Sequence, residues 1–191
     1  MKGRESGMPE EDYWQSFFDA DAVVKTLFEN AEVTGDLLEF GCGYGTFTLP
    51  AARCTRGVVT ALDIEPQMVL RVRQKAEAQA LLNVRAEIRD FVSQGSGLDS
   101  GTQSHAMIFN LLHLEQPLAL LREARRTLHD GGTVAVMHWR SDILTPRGPS
   151  LDIRPRPEQC QAWLCAAGFS DIRQINVKAS CPYHYALLAT R

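Results

Sequence analysis

The sequence predicts an α/β protein in which a mostly parallel β-sheet carries helices on both faces. Short apolar runs alternate with helix-length segments along the chain, and parallel strands need such crossover helices to connect them. A glycine cluster follows the first apolar run, which is typical of the turn between the first strand and the first helix of such a sheet. Because 191 residues fit one domain, we predict a single domain over residues 1–191.

The predicted elements follow in chain order. Apolar residues at helical spacing over 10–30 predict one or two entry helices, with Asp19 or Asp21 suited to capping a break between them. The segment Asp130-Gly131-Gly132 is expected to end a later helix before the next strand begins. We predict strands over 37–40, 58–62, 84–88, 105–109, 133–138, 172–177 and 184–190, and helices over 46–53, 66–81, 117–128 and 158–167.

Composition and charge limit the classes of partner. A formal net charge of -3 gives no general attraction to phosphate backbones or anionic lipids. The first residues lack the apolar stretch of a signal peptide, and no later run approaches the ~20 apolar residues that cross a bilayer. We therefore expect a cytoplasmic protein, monomeric or homodimeric, that binds neither nucleic acid nor a membrane.

The five cysteines form no CxxC pair and no zinc-ligand spacing. An odd count without an export signal argues against a disulfide framework, so we expect reduced thiols and no metal. Cys160, Cys165 and Cys181 could instead bind a soft metal or metalloid, but small buried side chains are the favoured interpretation.

The glycine-rich turn, Glu39-Phe40-Gly41-Cys42-Gly43-Tyr44-Gly45, lies where open α/β sheets bind ligands. Glycine lets the backbone approach a ligand that a Cβ atom would exclude. Asp63 follows this turn by the roughly 20 residues that place an acid beside a ribose at the end of the second strand. Turn and acid together predict a nucleoside site.

The glycine spacing separates two nucleoside cofactors. A dinucleotide site needs G-x-G-x-x-G, and position 46 is threonine where that pattern requires the third glycine. The pattern present is E-x-G-x-G-x-G, whose carboxylate, Glu39, suits a ligand with an ammonium group better than a pyrophosphate. An NAD(P)-dependent oxidoreductase is therefore the less favoured alternative.

The chain resembles the class I S-adenosylmethionine-dependent methyltransferases, especially the small-molecule group that includes the ubiquinone and menaquinone biosynthesis enzymes. The resemblance spans about residues 35–190. It implies a Rossmann-like three-layer sandwich whose seven-stranded sheet has the order 3-2-1-4-5-7-6, with strand 7 antiparallel. The segments that carry it are LLEFGCGYGTFTLPAA (37–52), VVTALDIEPQMVLRVRQKA (58–76), NVRAEIRDF (83–91), HAMIFNLLHL (105–114) and LLREARRTLHDGGTVAVMHWR (120–140).

The resemblance also implies a cofactor site for S-adenosylmethionine, with S-adenosylhomocysteine as its product. Glu39 would reach the amino group through water, and Asp63 would hold the ribose hydroxyls. Asn110 would face the sulfonium. The other implied contacts are Gly41, Cys42 and Gly43 along the methionine moiety, Ile64 and Met68 beside the adenine, and Asp90 and Phe91 at its amino group.

Four side chains are candidate proton-transfer groups. In the implied topology strand 7 runs antiparallel beside strand 5, so Tyr183 and His184 should approach His138, and His113 joins them just past strand 4. A histidine pKa near 6.5 suits proton transfer at neutral pH. A hydrogen-bonded structural role remains the alternative for each histidine.

Two segments flank the expected sites. Residues 1–34 should form a helical cover over the cofactor, and the proline- and arginine-rich insert over 139–157 should lie over the substrate side. Rigid guanidinium groups there suit a carboxylate or phosphate, which favours an anionic or thiol-bearing small acceptor. Arginines that pair with Asp142 and Asp152 are an equal alternative. The candidate acceptor contacts are Trp139, Arg147, Arg154 and Tyr185.

The sequence thus predicts methyl transfer from S-adenosylmethionine to a small molecule of unknown identity. A non-catalytic nucleoside-binding or interaction protein would need the same pocket and remains the alternative.

Overall fold

The computed structural model describes residues 8–28 and 34–191. Their elements alternate as the sequence predicts. In chain order they are α1 (Glu11–Gln15), α2 (Ala20–Leu27), β1 (Leu37–Phe40), α3 (Thr48–Cys54), β2 (Val59–Asp63), α4 (Pro66–Ala78), β3 (Val84–Ile88), α5 (Phe91–Gln94), β4 (Gln103–Phe109), α6 (Pro117–Thr127), β5 (Leu128–Trp139), a 3-10 turn (Leu151–Ile153), α7 (Pro157–Ala166), β6 (Ser170–Ile175) and β7 (His184–Thr190).

One seven-stranded sheet forms the centre of the protein, in the order β3-β2-β1-β4-β5-β7-β6. The pairings β3-β2, β2-β1, β1-β4 and β4-β5 are parallel. β7 is antiparallel to both of its neighbours, β5 and β6. The predicted Rossmann-like α/β fold with an antiparallel strand 7 is confirmed. Parallel strands therefore end at one edge of the sheet, where the glycine-rich turn lies.

Helices cover both faces of the sheet, and β1 is buried throughout because it faces helices on each side. One face, which includes Leu38 and Ile108, packs against α6 and α7. The other, which includes Leu37 and Met107, packs against α2 and α3. Val72 of α4 packs with the small side chains of β2 and β3.

The start of β5 differs from the prediction. Leu128 pairs with Gln103 and is fully buried, so the strand begins there and α6 ends at Thr127. The segment Asp130-Gly131-Gly132 therefore lies within the span of β5, beside a register shift between Gln103 and His105, and does not stop a helix as predicted.

The entry segment forms two helices with the break that the sequence predicts. Asp19 precedes α2 and its carboxylate accepts a hydrogen bond from the N–H of Ala22 at 3.1 Å, as expected of a cap. Trp14 of α1 reaches across 32 residues to donate to Thr46 Oγ1 at 3.1 Å. This contact brings α1 to the glycine-rich turn. The rest of the predicted cover, residues 1–7 and 29–33, lies outside the described residues.

Candidate functional site

The glycine-rich turn folds tightly over the end of β2. The carbonyl oxygen of Leu62 accepts from the N–H groups of Gly41 at 2.8 Å and Cys42 at 3.0 Å. Gly41 has φ +72°, and a Cβ there would lie 3.1 Å from Leu111 Cδ1. Both the conformation and the space favour glycine, so bare backbone lines the cavity at this point.

Asp63 braces this turn from the end of β2. Its carboxylate accepts from the N–H of Gly43 at 2.8 Å and from that of Glu65 at 3.0 Å. Burial raises the pKa of Asp63, and these two backbone donors act in the opposite direction. The side chain thus shapes the turn as well as lining the cavity beside it.

Glu39 is a second carboxyl group in the same cavity, at the end of β1. It accepts a hydrogen bond from the hydroxyl of buried Thr48. Burial, opposed by this hydrogen bond and reinforced by Asp63, raises the pKa of Glu39 to about 8. A cationic group placed beside Glu39 would restore its ionised form.

The cavity beside the turn has a volume of about 380 Å³ and is lined by residues from several elements. Asn110, after β4, has φ +58°, and its Oδ1 is buried without a hydrogen-bond partner among the described residues. An orphaned acceptor of this kind fits a polar ligand. Of the predicted cofactor contacts, those that line the cavity are Glu39, Gly41, Cys42, Gly43, Asp63, Ile64, Phe91 and Asn110.

Two predicted cofactor contacts are placed elsewhere. Met68 is buried in α4 and does not line the cavity. Asp90 precedes α5, where its side chain accepts from the N–H of Ser93 at 3.3 Å. The structure thus gives Asp90 the cap role that any acid before a helix can take, and only its neighbour Phe91 reaches the cavity wall.

His113 and His138 form a hydrogen-bonded pair at the rim, and His113 lines the cavity. His113 Nδ1 lies 3.2 Å from His138 Nε2, and the rings meet edge to face. His138 is fully buried at the end of β5, and its Nδ1 lies 3.3 Å from the carbonyl oxygen of Trp139.

The strand pairing brings the predicted rim residues to one edge of the sheet, as predicted. His138 pairs with Tyr185 and Trp139 with His184, so all four lie at one edge of the sheet, as the topology requires. Successive side chains of a strand point to opposite faces, however. Trp139, which lines the cavity, therefore lies on the same face as His184, and His138 and Tyr185 lie on the opposite face.

Two predicted rim residues make other contacts. The hydroxyl of Tyr185 donates to the carbonyl of Pro155 at 2.8 Å, and His184 Nδ1 lies 3.0 Å from Cys181 Sγ. Tyr183, His184 and Tyr185 do not line the cavity. His184 and Tyr185 instead line a second cavity together with Arg140 and Arg156. The catalytic and acceptor-binding roles of Tyr183, His184 and Tyr185 stay predictions.

The insert supplies one arginine to the cavity, not two. Arg147 lines it with Gly148 and Pro149. Arg154 is buried, and its guanidinium donates to the carbonyls of Pro149 at 2.7 Å, Arg140 at 2.9 Å and Arg147 at 3.2 Å. Its donors thus hold the insert together, and its role in binding an acceptor stays a prediction.

The sequence interpretation missed part of the apolar wall. Trp14 and Phe47 line the cavity, as do Leu111 and Leu114 after β4. Trp14 has the helical spacing of an ordinary amphipathic segment, and nothing in that spacing indicates its contact with Thr46. The aromatic side chains of the entry segment are the one signal that could have identified it.

The cysteines are free thiols and do not form one site. Cys160 contacts the hydroxyl of Tyr185, Cys181 contacts His184, and Cys165 is exposed. Within residues 8–28 and 34–191, no group of three or more His, Cys, Asp or Glu side chains could hold a metal ion. In that part of the chain no helix is long and apolar enough to span a membrane.

Comparison with known proteins identifies the family. Residues 37–132, half of the chain, match the family described as methyltransferase domain. A protein of transposon TN4556 from Streptomyces fradiae is 29% identical over 119 residues, which are 61% of this chain and 33% of that protein. The chain thus spans about a third of the length of this curated relative.

Solved structures share the fold. A SAM-dependent methyltransferase from Aquifex aeolicus superposes with a TM-score of 0.78 at 20% identity, over 94% of this chain and 93% of that one. The [4+2]-cyclase SpnF superposes with a TM-score of 0.69 at 18% identity, over 89% and 80% of the two chains. The chain therefore belongs to the methyltransferase-domain family and has the fold of the class I S-adenosylmethionine-dependent methyltransferases.

Proposed function

We propose that the protein transfers a methyl group from S-adenosylmethionine to a small-molecule acceptor. The observation that carries this proposal is one cavity that joins the glycine-rich turn and the Glu39 and Asp63 carboxylates to a wall made by His113 and Trp139. Family membership supports the chemistry, and the cavity supports the presence of two neighbouring subsites.

The first subsite fits S-adenosylmethionine in the chemistry of its donors and acceptors. Glu39 offers a carboxyl group to an ammonium, Asp63 offers acceptors to ribose hydroxyls, and Gly41 leaves room that a Cβ would fill. Asn110 Oδ1 supplies an acceptor without another partner among the described residues. When bound, the cofactor would supply an electrophilic methyl group on a positively charged sulfur.

The second subsite is formed by Trp14, Trp139, His113 and Arg147. Methyl transfer from a sulfonium is a direct displacement, so the protein must align the nucleophile and exclude water. The two indole rings are suited to exclude water, and Arg147 lines the same wall. Resemblance to the quinone biosynthesis enzymes adds quinone precursors to the candidate acceptors.

The proposal includes a cytoplasmic location and a small-molecule partner in place of nucleic acid. Five free thiols support a reducing compartment, and the net charge of -3 does not favour phosphate backbones. For the assembly we propose a monomer or homodimer.

A second candidate is a protein that uses the nucleoside pocket without methyl transfer. The shared fold of the [4+2]-cyclase SpnF favours including it, because that protein is named for another reaction. An NAD(P)-dependent oxidoreductase is less favoured, since Thr46 replaces the third glycine of the dinucleotide pattern.

An acceptor screen distinguishes these candidates. S-adenosylhomocysteine production would be followed with pools of phenols, thiols, carboxylates and quinone precursors, together with a sample lacking acceptor. We expect one pool to give turnover above that background. A protein that binds S-adenosylhomocysteine but turns over none of these pools would favour the second candidate.

A further inference from the structure

The histidine pair at the rim has a defined direction of hydrogen bonding. His138 Nδ1 contacts the carbonyl oxygen of Trp139 at 3.3 Å, and a carbonyl can only accept, so Nδ1 carries the proton. Neutral imidazole has one N–H, which leaves His138 Nε2 as an acceptor. His113 Nδ1, 3.2 Å from that atom, must then be the donor. In a neutral His113, Nε2 therefore carries no proton.

The surroundings of His138 keep it neutral. Burial, reinforced by nearby His113 and Arg154 and opposed by the Trp139 carbonyl, lowers the pKa of His138 to about 3. His184 interacts electrostatically with His138 from the next strand, and the Tyr185 ring lies 6.4 Å away. His113 is therefore the donor and His138 the acceptor of this hydrogen bond throughout the neutral pH range.

We propose that His113 Nε2 is the base that removes the proton from an aromatic hydroxyl group of the acceptor, and that His138 is a positioning residue that holds His113 in the Nδ1–H form. This inference rests on the methyl transfer proposed above, and it adds the acceptor class and the direction of proton transfer.

The proton balance of the step is simple. The acceptor O–H bond breaks, its electron pair stays on oxygen, and the proton forms an N–H bond at His113 Nε2. His113 becomes an imidazolium that still donates from Nδ1 to His138. The electron pair on oxygen would then form the bond to the methyl group, and the sulfur–methyl bond of the bound cofactor would break with its electron pair left on sulfur. The proton passes to solvent when His113 returns to its neutral form.

The walls of the cavity favour an aromatic acceptor. Trp14 presents an indole ring to the cavity, and Trp139, which is 2% exposed, packs edge to face against it at 6.2 Å. Such an aromatic wall packs well against a flat ring. A carboxylate acceptor arrives ionised and needs no base. A phenol has a pKa of about 10, judged from tyrosine, which is within reach of a histidine base, whereas an aliphatic alcohol is a far weaker acid.

Nitrogen NMR of the histidine rings tests the tautomer without an identified acceptor. The full chain would be labelled with ¹⁵N in its five histidines and measured with and without S-adenosylhomocysteine. We expect His113 to carry its proton on Nδ1 and no proton on Nε2. Phenol should shift the Nε2 signal, whereas anisole, which lacks the hydroxyl proton, should leave it unchanged.

Variants of His138 separate positioning from packing. His138→Gln offers a side-chain carbonyl that can accept from His113 Nδ1, so the Nδ1–H form should persist. His138→Leu removes the acceptor, so both tautomers of His113 should appear. His129→Gln is the matched control, because exposed His129 contacts Ser104 and Asp130, away from the pair. With an acceptor found, His113→Ala should lower kcat about 100-fold or more while cofactor Kd stays unchanged.

Either of two results would overturn the inference. One is a parent protein in which His113 is protonated at Nε2 and bare at Nδ1, and this reading does not depend on whether His138→Leu folds. The other is an Nε2 signal that thiophenol shifts and phenol does not. Absence of S-adenosylhomocysteine binding in the same samples would instead count against the proposed methyl transfer, so the two failures are distinguishable.

Discussion

Glu39 is a carboxyl group that folding removes from water. The side chain is 3% exposed, and its hydrogen bond from Thr48 only partly offsets the loss of hydration. In the proposed function this destabilising group is kept because it binds the ammonium of the cofactor. Groups of this kind are where activity and stability are expected to conflict.

Replacing Glu39 with glutamine should stabilise the protein and weaken cofactor binding. With a pKa of about 8 in the folded state against 4.5 as reference, the folded protein binds more protons than the unfolded chain between these values. Its stability therefore falls as pH rises through this window, by roughly 1.4 kcal/mol per unit. The Glu39→Gln variant has no ionisable group at this position, so its stability does not fall in this way as pH rises.

Urea denaturation at two pH values measures the effect. We expect the Glu39→Gln variant to exceed the parent by about 2–4 kcal/mol in unfolding free energy at pH 8, and the two proteins to be nearly equal at pH 4. An equal difference at both pH values would show that the ionisation of Glu39 is not the cause.

Among the elements, the order of strands could be predicted but the direction of the rim side chains could not. Alternating strands and helices, with the family resemblance, were enough for the sheet order. A displacement of one residue, however, turns a strand side chain to the other face, and nothing local in His138-Trp139 indicates which side chain meets the cavity.

Contacts distant in sequence explain what the composition of the insert could not predict. Arg154 is an arginine among prolines, and its composition alone suits either an acceptor or a carbonyl cluster. The choice depends on how the insert folds back, which brings the carbonyls of Arg140 and Arg147 to its guanidinium. Glu39 and Asp63 were predictable because the glycine-rich turn and strand ends locate them directly.

The insert provides a prediction about the role of Arg154 in its stability. Replacing Arg154 with methionine keeps much of the apolar stem but leaves its carbonyl partners without donors, so we expect a loss of about 2–4 kcal/mol of unfolding free energy. Limited proteolysis should then cut more rapidly within residues 140–157. The exposed neighbour Arg156, changed to methionine, is the matched control.

The affinity for the cofactor should change less in the Arg154→Met variant than the stability of the insert does. The carboxylates and glycine-rich turn belong to the sheet, so S-adenosylhomocysteine should bind Arg154→Met with little change. Equal proteolysis of the Arg154 and Arg156 variants would contradict the role given to Arg154.

For the whole molecule, the two buried histidines predict loss of stability in acid. Burial lowers the pKa of His138 to about 3 and that of His184 well below its usual range. Between a reference pKa of 6.5 and these values the unfolded chain binds more protons at these two sites, so the contribution of the two histidines to stability falls as pH decreases below 6.5. Each histidine contributes roughly 1.4 kcal/mol per pH unit.

Thermal unfolding from pH 7 to pH 5 checks this dependence. His184→Gln should have a smaller decrease in Tm than the parent, because one of the two protonation sites is gone. Since His184 does not line the cavity, cofactor affinity at pH 7 should be unchanged. The slope of the parent also contains the opposite contribution of Glu39, so the comparison of variant and parent is the test. A variant with the parent's slope would contradict the prediction.

The central claim is that the cavity between Glu39 and Asp63 binds S-adenosylmethionine, and calorimetry tests it most directly. We expect S-adenosylhomocysteine to bind at micromolar Kd, about -7 to -8 kcal/mol, and NAD to show no binding. Asp63→Ala should weaken binding by about 1.5–3 kcal/mol, with Asp130→Ala, an exposed acid at the start of β5, as the control. Tight binding of NAD without binding of S-adenosylhomocysteine would contradict the account.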